Sequence, residues 1–305
     1  MSRARNFNRV FKLITFVASI SILVVIGGIF VTLITESLPA IRKFGLLNFL
    51  TSREWNYNQN IFGAFRPLSG TLLSTCLALL VAVPVSIATA IFLTELCPHK
   101  LKGVIGTAIE LLAAIPSIIY GMWGLFVFAP FLESYVMPLV SHSLGNLPKI
   151  GSLFQSRLAG GVNLFTASMV LAVMIMPFIT SVTRDAFNQV PSYLKESSRG
   201  LGATLWETIY LVQIPYSKTA ISGGIIIAMG RALGETMAVA YVIGNRHAAL
   251  DSIFSPYTTI TSVMANEFNE AEGIQLSSLF TLALVLFLAN FLALYLGKKL
   301  LKRKI

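Results

Sequence analysis

Six runs of mostly apolar residues, roughly 13–34, 70–93, 104–130, 162–182, 217–243 and 277–297, constrain this chain more than any other feature. A helix needs about 20 apolar residues to cross the hydrocarbon core of a bilayer. Every backbone amide and carbonyl inside that core must find its partner within protein. With 55% hydrophobic residues and a mean hydropathy of +0.76, the chain lies outside the range of soluble domains, and the segments between the runs leave no room for one of any size. The expectation is an all-α polytopic membrane protein with six transmembrane helices.

The net charge of +10 first raises nucleic acid as a partner. The cations instead sort by side. With both termini inside, the cytoplasmic segments hold 15 of the 23 Lys and Arg (Arg184, Lys195, Arg199 and Lys218 among them) and the outer segments hold 7, Arg231 being the remaining one. The excess of positive charge marks the cytoplasmic side. No nucleic-acid partner is expected, and membrane lipid is. The chain then divides into a cytoplasmic N-terminus (1–12), a first transmembrane helix (13–34), an outer segment (35–69), a core of five helices (70–297) and a basic cytoplasmic tail (298–305). The basic start followed by an apolar run looks like a signal peptide, but Leu13 to Ile34 is too long and lacks a small-residue cleavage site. It is read as a retained span, with Gly27 and Gly28 offering close helix contact.

No cofactor, metal or catalytic centre is expected. Cys76 lies within a run and Cys97 in a cytoplasmic turn, so they make no disulfide framework. His99, His142 and His247 fall in three loops on two sides of the membrane. There is no G-x-x-x-x-G-K-[ST] phosphate loop, nucleophile elbow or H-E-x-x-H pattern, so an ATP-driven step would need a separate subunit.

The stretch from Pro191 to Val239 carries the strongest functional signal. Its first half is polar and heavily punctuated. Ser192 is placed to cap a short helix running up to Gly200 and Gly202. Thr204 and Glu207 form a T-x-x-E capping box for a second helix, which Pro215 is expected to end. Gly202 is read as a position needing a backbone shape or a closeness that a side chain blocks. The second half is an apolar span with Arg231 near its centre and Glu235 four residues on, on the same face. A charge there costs roughly 2.5–3.5 kcal/mol on insertion scales. Two readings stand: an ion pair that locks helices together, or an anion site built on the guanidinium fork. Gly230 and Gly234 form a G-x-x-x-G step beside it.

Elsewhere the run ELLAAIPS places Glu110 near the cytoplasmic end of its span, with Pro116 and Ser117 following. Glu110 is either a functional residue of the path or a structural acceptor for a neighbouring basic group. Pro84, Pro116 and Pro177 mark kinks in three spans. The outer aromatics Phe44, Phe49, Trp55, Tyr57, Phe62 and Phe65 suit the membrane–water interface, with a partner-binding patch as the alternative. In the loop 244–276, Pro256–Phe268 reads as a re-entrant or surface helix.

The segment 191–215 resembles the EAA loop of ABC-transporter permeases, through Glu196, Gly202 and Pro215, with Val212 and Ile214 as mild replacements and Ser197 and Ser198 where two alanines are usual. GRALGETMAV (230–239) and the stretch 62–130, with its FG, SGTL, AVP, AIFL-E, ELLAAIPS and YGMWGL, look like the phosphate-specific ABC permeases of the PstC type. The resemblance implies an ABC importer permease of the type I, MetI-like fold in a bacterial inner membrane. It implies that 191–215 docks on an ATPase subunit and carries its motion inward. It further implies a heterodimer with a second homologous permease, two ATP-binding subunits inside and a phosphate-binding protein outside. Arg231 and Glu235 would then lie on the substrate path. Sulfate or molybdate would suit the same arginine. A passive channel would not need the loop at 191–215, and a lipid-modifying enzyme would need a catalytic cluster that is not found.

Overall fold

Helix dominates this structure because so much of the chain has to satisfy its backbone without water. The computed structural model describes residues 2–148, 151–155 and 160–302, with side chains from residue 11 to residue 299. Lys149, Arg157 and the end of the basic tail lie outside the described residues, as do the side chains of Arg3, Arg5 and Arg9. In order, the elements are α1 (Ser2–Phe44), α2 (Leu46–Thr51), a two-residue hairpin of β1 (Trp55–Asn56) and β2 (Ile61–Phe62), α3 (Phe65–Ile91), α4 (His99–Ala113), α5 (Ser117–Trp123), α6 (Ala129–Phe131), α7 (Met137–Leu144), α8 (Leu164–Asn188), α9 (Ser192–Gly200), α10 (Leu205–Thr208), α11 (Ile214–Leu233), α12 (Met237–Ala240), α13 (Ile260–Glu267) and α14 (Gly273–Lys302). Trp55 pairs with Phe62 and Asn56 with Ile61, antiparallel.

Five helical stretches among the described residues are long and apolar enough to cross a membrane: Phe11–Phe44, Phe65–Leu96, Ser117–Leu144, Leu164–Asn188 and Gly273–Lys299. The sixth expected span is α11. It is shorter and more polar, and it stops at Leu233 instead of running to residue 243. The third span is also displaced. Its expected first part is the separate helix α4, and its helix runs on to Leu144, through what reads in the sequence as outer loop.

Proline explains both the continuity and the breaks. Before each of Pro98, Pro130, Pro138 and Pro215 lies a wide π turn: 92–96, 124–128, 132–136 and 209–213. In each, the amide just before the proline donates to the carbonyl five residues back. A proline ring crowds the carbonyl four residues back and supplies no N–H, and a wide turn makes room for it. Helix thus passes through Pro130, Pro138 and Pro215. Pro215 was expected to end a helix, yet the ladder opens ahead of it and α11 follows without a corner. Pro84 and Pro177 sit inside α3 and α8.

α8 is the central helix, and α3 lies along it. The side of α3 that is buried repeats every fourth residue: Gly70, Ser74, Ala78, Ala82, Ser86 and Ala90. Small residues let helix backbones approach where lipid offers no hydrophobic drive for association. Ser86 Oγ donates to the Met176 carbonyl of α8 at 3.1 Å. Tyr120, Val170, Ile175, Ala228, Val239 and Tyr257 join the core around this pair. A Cβ at Gly70 would overlap the Thr258 carbonyl, and Thr71 Oγ1 accepts from Ile260 N–H at 3.0 Å, so the segment leading into α13 is pressed against the start of α3. α13 buries Ile260, Thr261, Ser262 and Val263 and begins with a Thr259/Ser262 capping box. Gly27 and Gly28 of α1 face open space, so the close contact expected there is not made within this chain.

The aromatic segment makes a second core rather than an interfacial belt. Phe49 and Phe62 are fully buried and pack with Phe44, Trp55, Ile260, Leu279 and Leu282, while Tyr57 and Phe65 stay exposed. Trp55 Nε1 donates to Glu267 (3.0 Å), His247 Nε2 lies 3.3 Å from the same carboxylate, and Gln275 Nε2 donates to it at 3.0 Å. The His247 ring stacks on Trp55, and Arg66 holds the His247 carbonyl at 2.6 Å. The hairpin, the loop after α12, α13 and α14 are thereby tied at one carboxylate. Burial pushes the Glu267 carboxyl up, but hydrogen bonds from His247, Trp55 and Gln275 together outweigh it and hold it below the usual carboxylate range.

A group with a depressed folded pKa stabilises above its unfolded value and loses that contribution as pH falls through the folded one. Glu267→Gln should therefore lower stability by about 1–3 kcal/mol at neutral pH and flatten the acid side of the profile. Thermal melts of the purified protein between neutral and acid pH read both effects; a variant matching wild type throughout would contradict this account.

Candidate functional site

The punctuated segment folds as two short helices around a glycine corner. Pro191, not Ser192, occupies the N-cap of α9, and no side chain caps it; Ser192 is the first helical residue. Gly202 has φ +91°, and a Cβ there would meet nothing within 4 Å. Its requirement is thus backbone shape, not closeness. Thr204 and Glu207 form the expected capping box in both directions: Thr204 Oγ1 accepts from Glu207 N–H at 3.3 Å, and Glu207 Oε2 accepts from Thr204 N–H at 2.7 Å. The bonds its carboxylate accepts from the Thr204 N–H and hydroxyl hold the exposed Glu207 carboxyl below its usual range. Glu196 is exposed, as are the large side chains of Tyr193, Leu201 and Trp206. The face is solvent-accessible, polar at its edges and studded with aromatic and aliphatic groups. Pro215 lies at the start of α11, behind this face.

α9 buries none of its residues. Its ties to the bundle are polar. Glu95, in the wide turn that ends α3, accepts from Lys195 Nζ at 2.7 Å and from Arg199 Nη2 at 3.4 Å. Ser198 and Thr208 hydroxyls lie 3.2 Å apart. Nearby, Arg184 of α8 donates to Glu110 of α4 at 2.7 Å and also meets Asp185 at 3.3 Å. Glu110 thus accepts from a neighbouring basic group, the arrangement that its structural alternative calls for. Glu95, Lys195, Arg199 and Arg184 were not singled out from the sequence. A carboxylate directly after an apolar run, on the side rich in cations, was the available signal, but it does not name the partner.

The charged stretch lies at a broken helix. α11 ends at Leu233, with Arg231 in its last turn. Gly234, Glu235 and Thr236 form the break, and α12 resumes at Met237. Arg231 and Glu235 therefore do not share a helical face, which corrects the expectation. Among the described residues they form no ion pair: Glu235 Oε1 accepts from Ala238 N–H at 3.2 Å, capping α12, and its carbonyl accepts from Thr261 Oγ1 at 2.7 Å. Gly230 faces Asn290 and Leu294 of α14, whereas a Cβ on Gly234 would meet only the Gly230 and Arg231 carbonyls of its own turn, at 3.7 and 3.9 Å, so the pair is not a shared helix-packing step. Thr219, Gly223, Ile227 and Arg231 follow one another at spacing four along an open edge of α11: Thr219, Ile227 and Arg231 are exposed, and a Cβ on Gly223 would meet nothing within 4 Å among the described residues.

A second break faces the first. Pro116 stops α4 and sits at the N-cap of α5; Ser117 is the first residue of α5 and its hydroxyl makes no hydrogen bond among the described residues. The carbonyl that Pro116 cannot serve, Leu112 O, accepts from Tyr120 Oη at 2.9 Å. Gly121 lies against the α12 backbone: a Cβ there would come 3.1 Å from both Ala238 Cα and Met237 O. Pro116 and Ser117 thus lie at one break and Arg231 and Glu235 at the other, the two meeting where Gly121 touches α12, while Glu196 and Gly202 lie on the separate loop 191–215. A groove of about 630 Å³ borders the α11–α12 break on the side of α1, α13 and α14, lined by Thr236, Thr261, Asn269 and Asn290 among apolar groups. It contains no charged residue, and Arg231 does not line it.

Residues 82–302 match the model of the family described as binding-protein-dependent transport system inner membrane component. The chain is 50% identical over 298 residues to the phosphate transport system permease protein PstC of Mesorhizobium japonicum, covering 96% of this chain and 90% of that one. It is 48% identical to the protein of the same name from Pasteurella multocida, covering 93% and 88%. Its fold is similar to a chain in the crystal structure of a bacterial alginate ABC transporter in complex with alginate pentasaccharide-bound periplasmic protein, with a TM-score of 0.60, 15% identity and coverage of 88% and 87%. Together with the spans, the punctuated loop and the broken helices, the family match, which covers well over half the sequence, means that the chain belongs to the inner-membrane components of binding-protein-dependent transport systems.

Proposed function

We propose that this chain is the permease subunit of an ATP-driven importer of inorganic phosphate, forming half of the translocation path. The observation that carries the substrate is the near-half identity, over almost the whole length, to relatives named as phosphate permeases. Arg231 supports it chemically: a guanidinium stays charged when desolvated and offers a planar fork to an oxyanion. The open edge through Gly223, Ile227 and Arg231 supports a second, homologous permease as the partner that closes the path, giving a heterodimer. The exposed loop at 191–215 supports docking of a separate ATPase, with Glu196 at the contact, Gly202 shaping the corner and Pro215 leading into α11. Two ATPase copies, a phosphate-binding protein outside and a bacterial inner-membrane location complete the reading. The ATP-dependent uptake of phosphate by the reconstituted complex, with sulfate and molybdate competing, tests it; competition by sulfate or molybdate as strong as by phosphate itself would overturn the substrate.

The cation asymmetry supports a cytoplasmic position for both termini. Single cysteines at Asn60 and Asn266 should react with an impermeant reagent in intact cells. Labelling from outside of a cysteine at Lys299 would reverse the orientation.

Gly202→Glu should leave the protein in the membrane but separate ATP hydrolysis from uptake. A side chain at φ +91° strains the corner by about 1–2 kcal/mol, and the new carboxylate projects into the docking face. Uptake at the wild-type rate per ATP would oppose this role.

Arg231→Ala should abolish phosphate uptake in an assembled complex. Arg231→Lys should be clearly impaired, since it keeps charge but not the fork. Glu235→Gln should be milder than either, because a glutamine oxygen can still accept from Ala238 N–H. Uptake and assembled complex, measured side by side, decide; phosphate uptake by Arg231→Ala at the wild-type rate would remove Arg231 from the path.

A further inference from the structure

We propose that Glu95 is a positioning residue through which α9 moves α3, the helix that lies along the central α8. The inference rests on the reading of 191–215 as the ATPase-docking loop. α9 is nine residues long, buries none of them, and is bounded by Pro191 and by Gly202 at φ +91°. Leu194 is half-buried but joins none of the hydrophobic cores, so the polar contacts of this helix are its firmest route for force. Two of its basic side chains converge on one carboxylate. Glu95 is 9% exposed, Lys195 is 21% exposed and Arg199 is 51% exposed.

The burial of Glu95 matters more than the count of ion pairs. A surface pair contributes little and is screened by salt. A carboxylate shielded from water holds its partners tightly, because separating them leaves a charge without solvation. Lys195 therefore cannot drift from α3 without penalty, and a displacement of α9 has to carry Glu95 with it. The wide turn at 92–96 serves the same end. It adds a residue to the last turn of α3, and with it Glu95 meets α9. From there the small-residue edge of α3, Gly70 to Ala90, runs the length of α8, so a shift at Glu95 reaches the core where Tyr120 and α12 pack.

The test uses the whole complex in proteoliposomes, with its ATPase and binding protein, and reads three quantities: assembled complex, ATP hydrolysis, and phosphate moved per ATP. Glu95→Gln should assemble and hydrolyse ATP, with phosphate per ATP reduced about fivefold or more, the range of typical coupling between sites. Inverting the charges, Glu95→Lys with Lys195→Glu and Arg199→Glu, should restore most of the ratio, which a defect in folding alone would not allow. If Glu95→Gln fails to assemble, Lys195→Gln with Arg199→Gln removes the same contacts from the more exposed side and should show the same loss. A wild-type ratio in either assembled variant, or an inverted triple variant no better than Glu95→Gln, overturns the proposal. Gly202→Glu run in parallel separates the two failures. If it also leaves the ratio intact, the docking loop itself is misassigned; if it uncouples while Glu95→Gln does not, only the role of Glu95 falls.

Discussion

A backbone amide in hydrocarbon has to find its partner within protein, and in this chain proline decides where the regular partner is missing. Four prolines are preceded by a wide turn that relocates one hydrogen bond. At Pro116 the relief is different: the helix stops, and a tyrosine eight residues beyond Leu112 supplies the lost donor. The difference has a local cause. Pro116 itself turns extended, with ψ 138°, whereas Ala129, Met137 and Ile214, the residues before Pro130, Pro138 and Pro215, keep helical dihedrals in continuous helix. Continuity was thus preserved where the chain only needed to cross, and given up beside Arg231.

The two breaks are complementary. At one, Tyr120 closes the end of α4; at the other, Glu235 opens α12 and Thr261 bonds the Glu235 carbonyl. Non-helical backbone at membrane depth survives where protein or a lined cavity satisfies it. Each break here has such a partner within the chain. Arg231, which forms no ion pair among the described residues, lies on an edge that α11 shows to its surroundings. A permanent cation on such an edge is costly unless something of opposite charge, or water, meets it during function.

How far all this was legible in the sequence depended on whether one residue type or one distance was at stake. The T-x-x-E box at Thr204 and the special corner at Gly202 were legible because each is a local rule: a hydroxyl three residues from a carboxylate, a glycine where φ is positive. Span existence was legible from apolar length. The limits of the third span were not, because Pro130 and Pro138 look like loop signals and are absorbed by wide turns, while Pro116 acts as the break. The aromatics at 44–65 look interfacial by composition, yet Phe49 and Phe62 bury completely because α13 and α14 fold over them. The pairing of Arg231 with Glu235 was inferred from an unbroken helix, and one glycine removed the premise. Glu95 was illegible as a partner for the opposite reason: nothing local joins it to a lysine 100 residues later.

The first helix has a further consequence. Its apolar part, 13–34, is about 33 Å long at 1.5 Å per residue, close to the ~30 Å hydrocarbon thickness, but the helix runs on to Phe44. That last stretch is a helical stalk containing Pro39, and it is keyed to α14: Ser277 Oγ bridges the ladder, donating to Glu36 O at 2.6 Å and accepting from Ala40 N–H at 3.0 Å. Above the stalk sit α2 and the hairpin with Trp55. The height of that cap is accordingly set by a residue count, as on a ruler. One inserted residue within the stalk would lift it by about 1.5 Å and turn it by about 100°, carrying the hairpin off Glu267, whereas four would bring it back nearly into phase. Length variation that an ordinary surface loop absorbs is therefore quantised in this part of the chain, in whole helical turns.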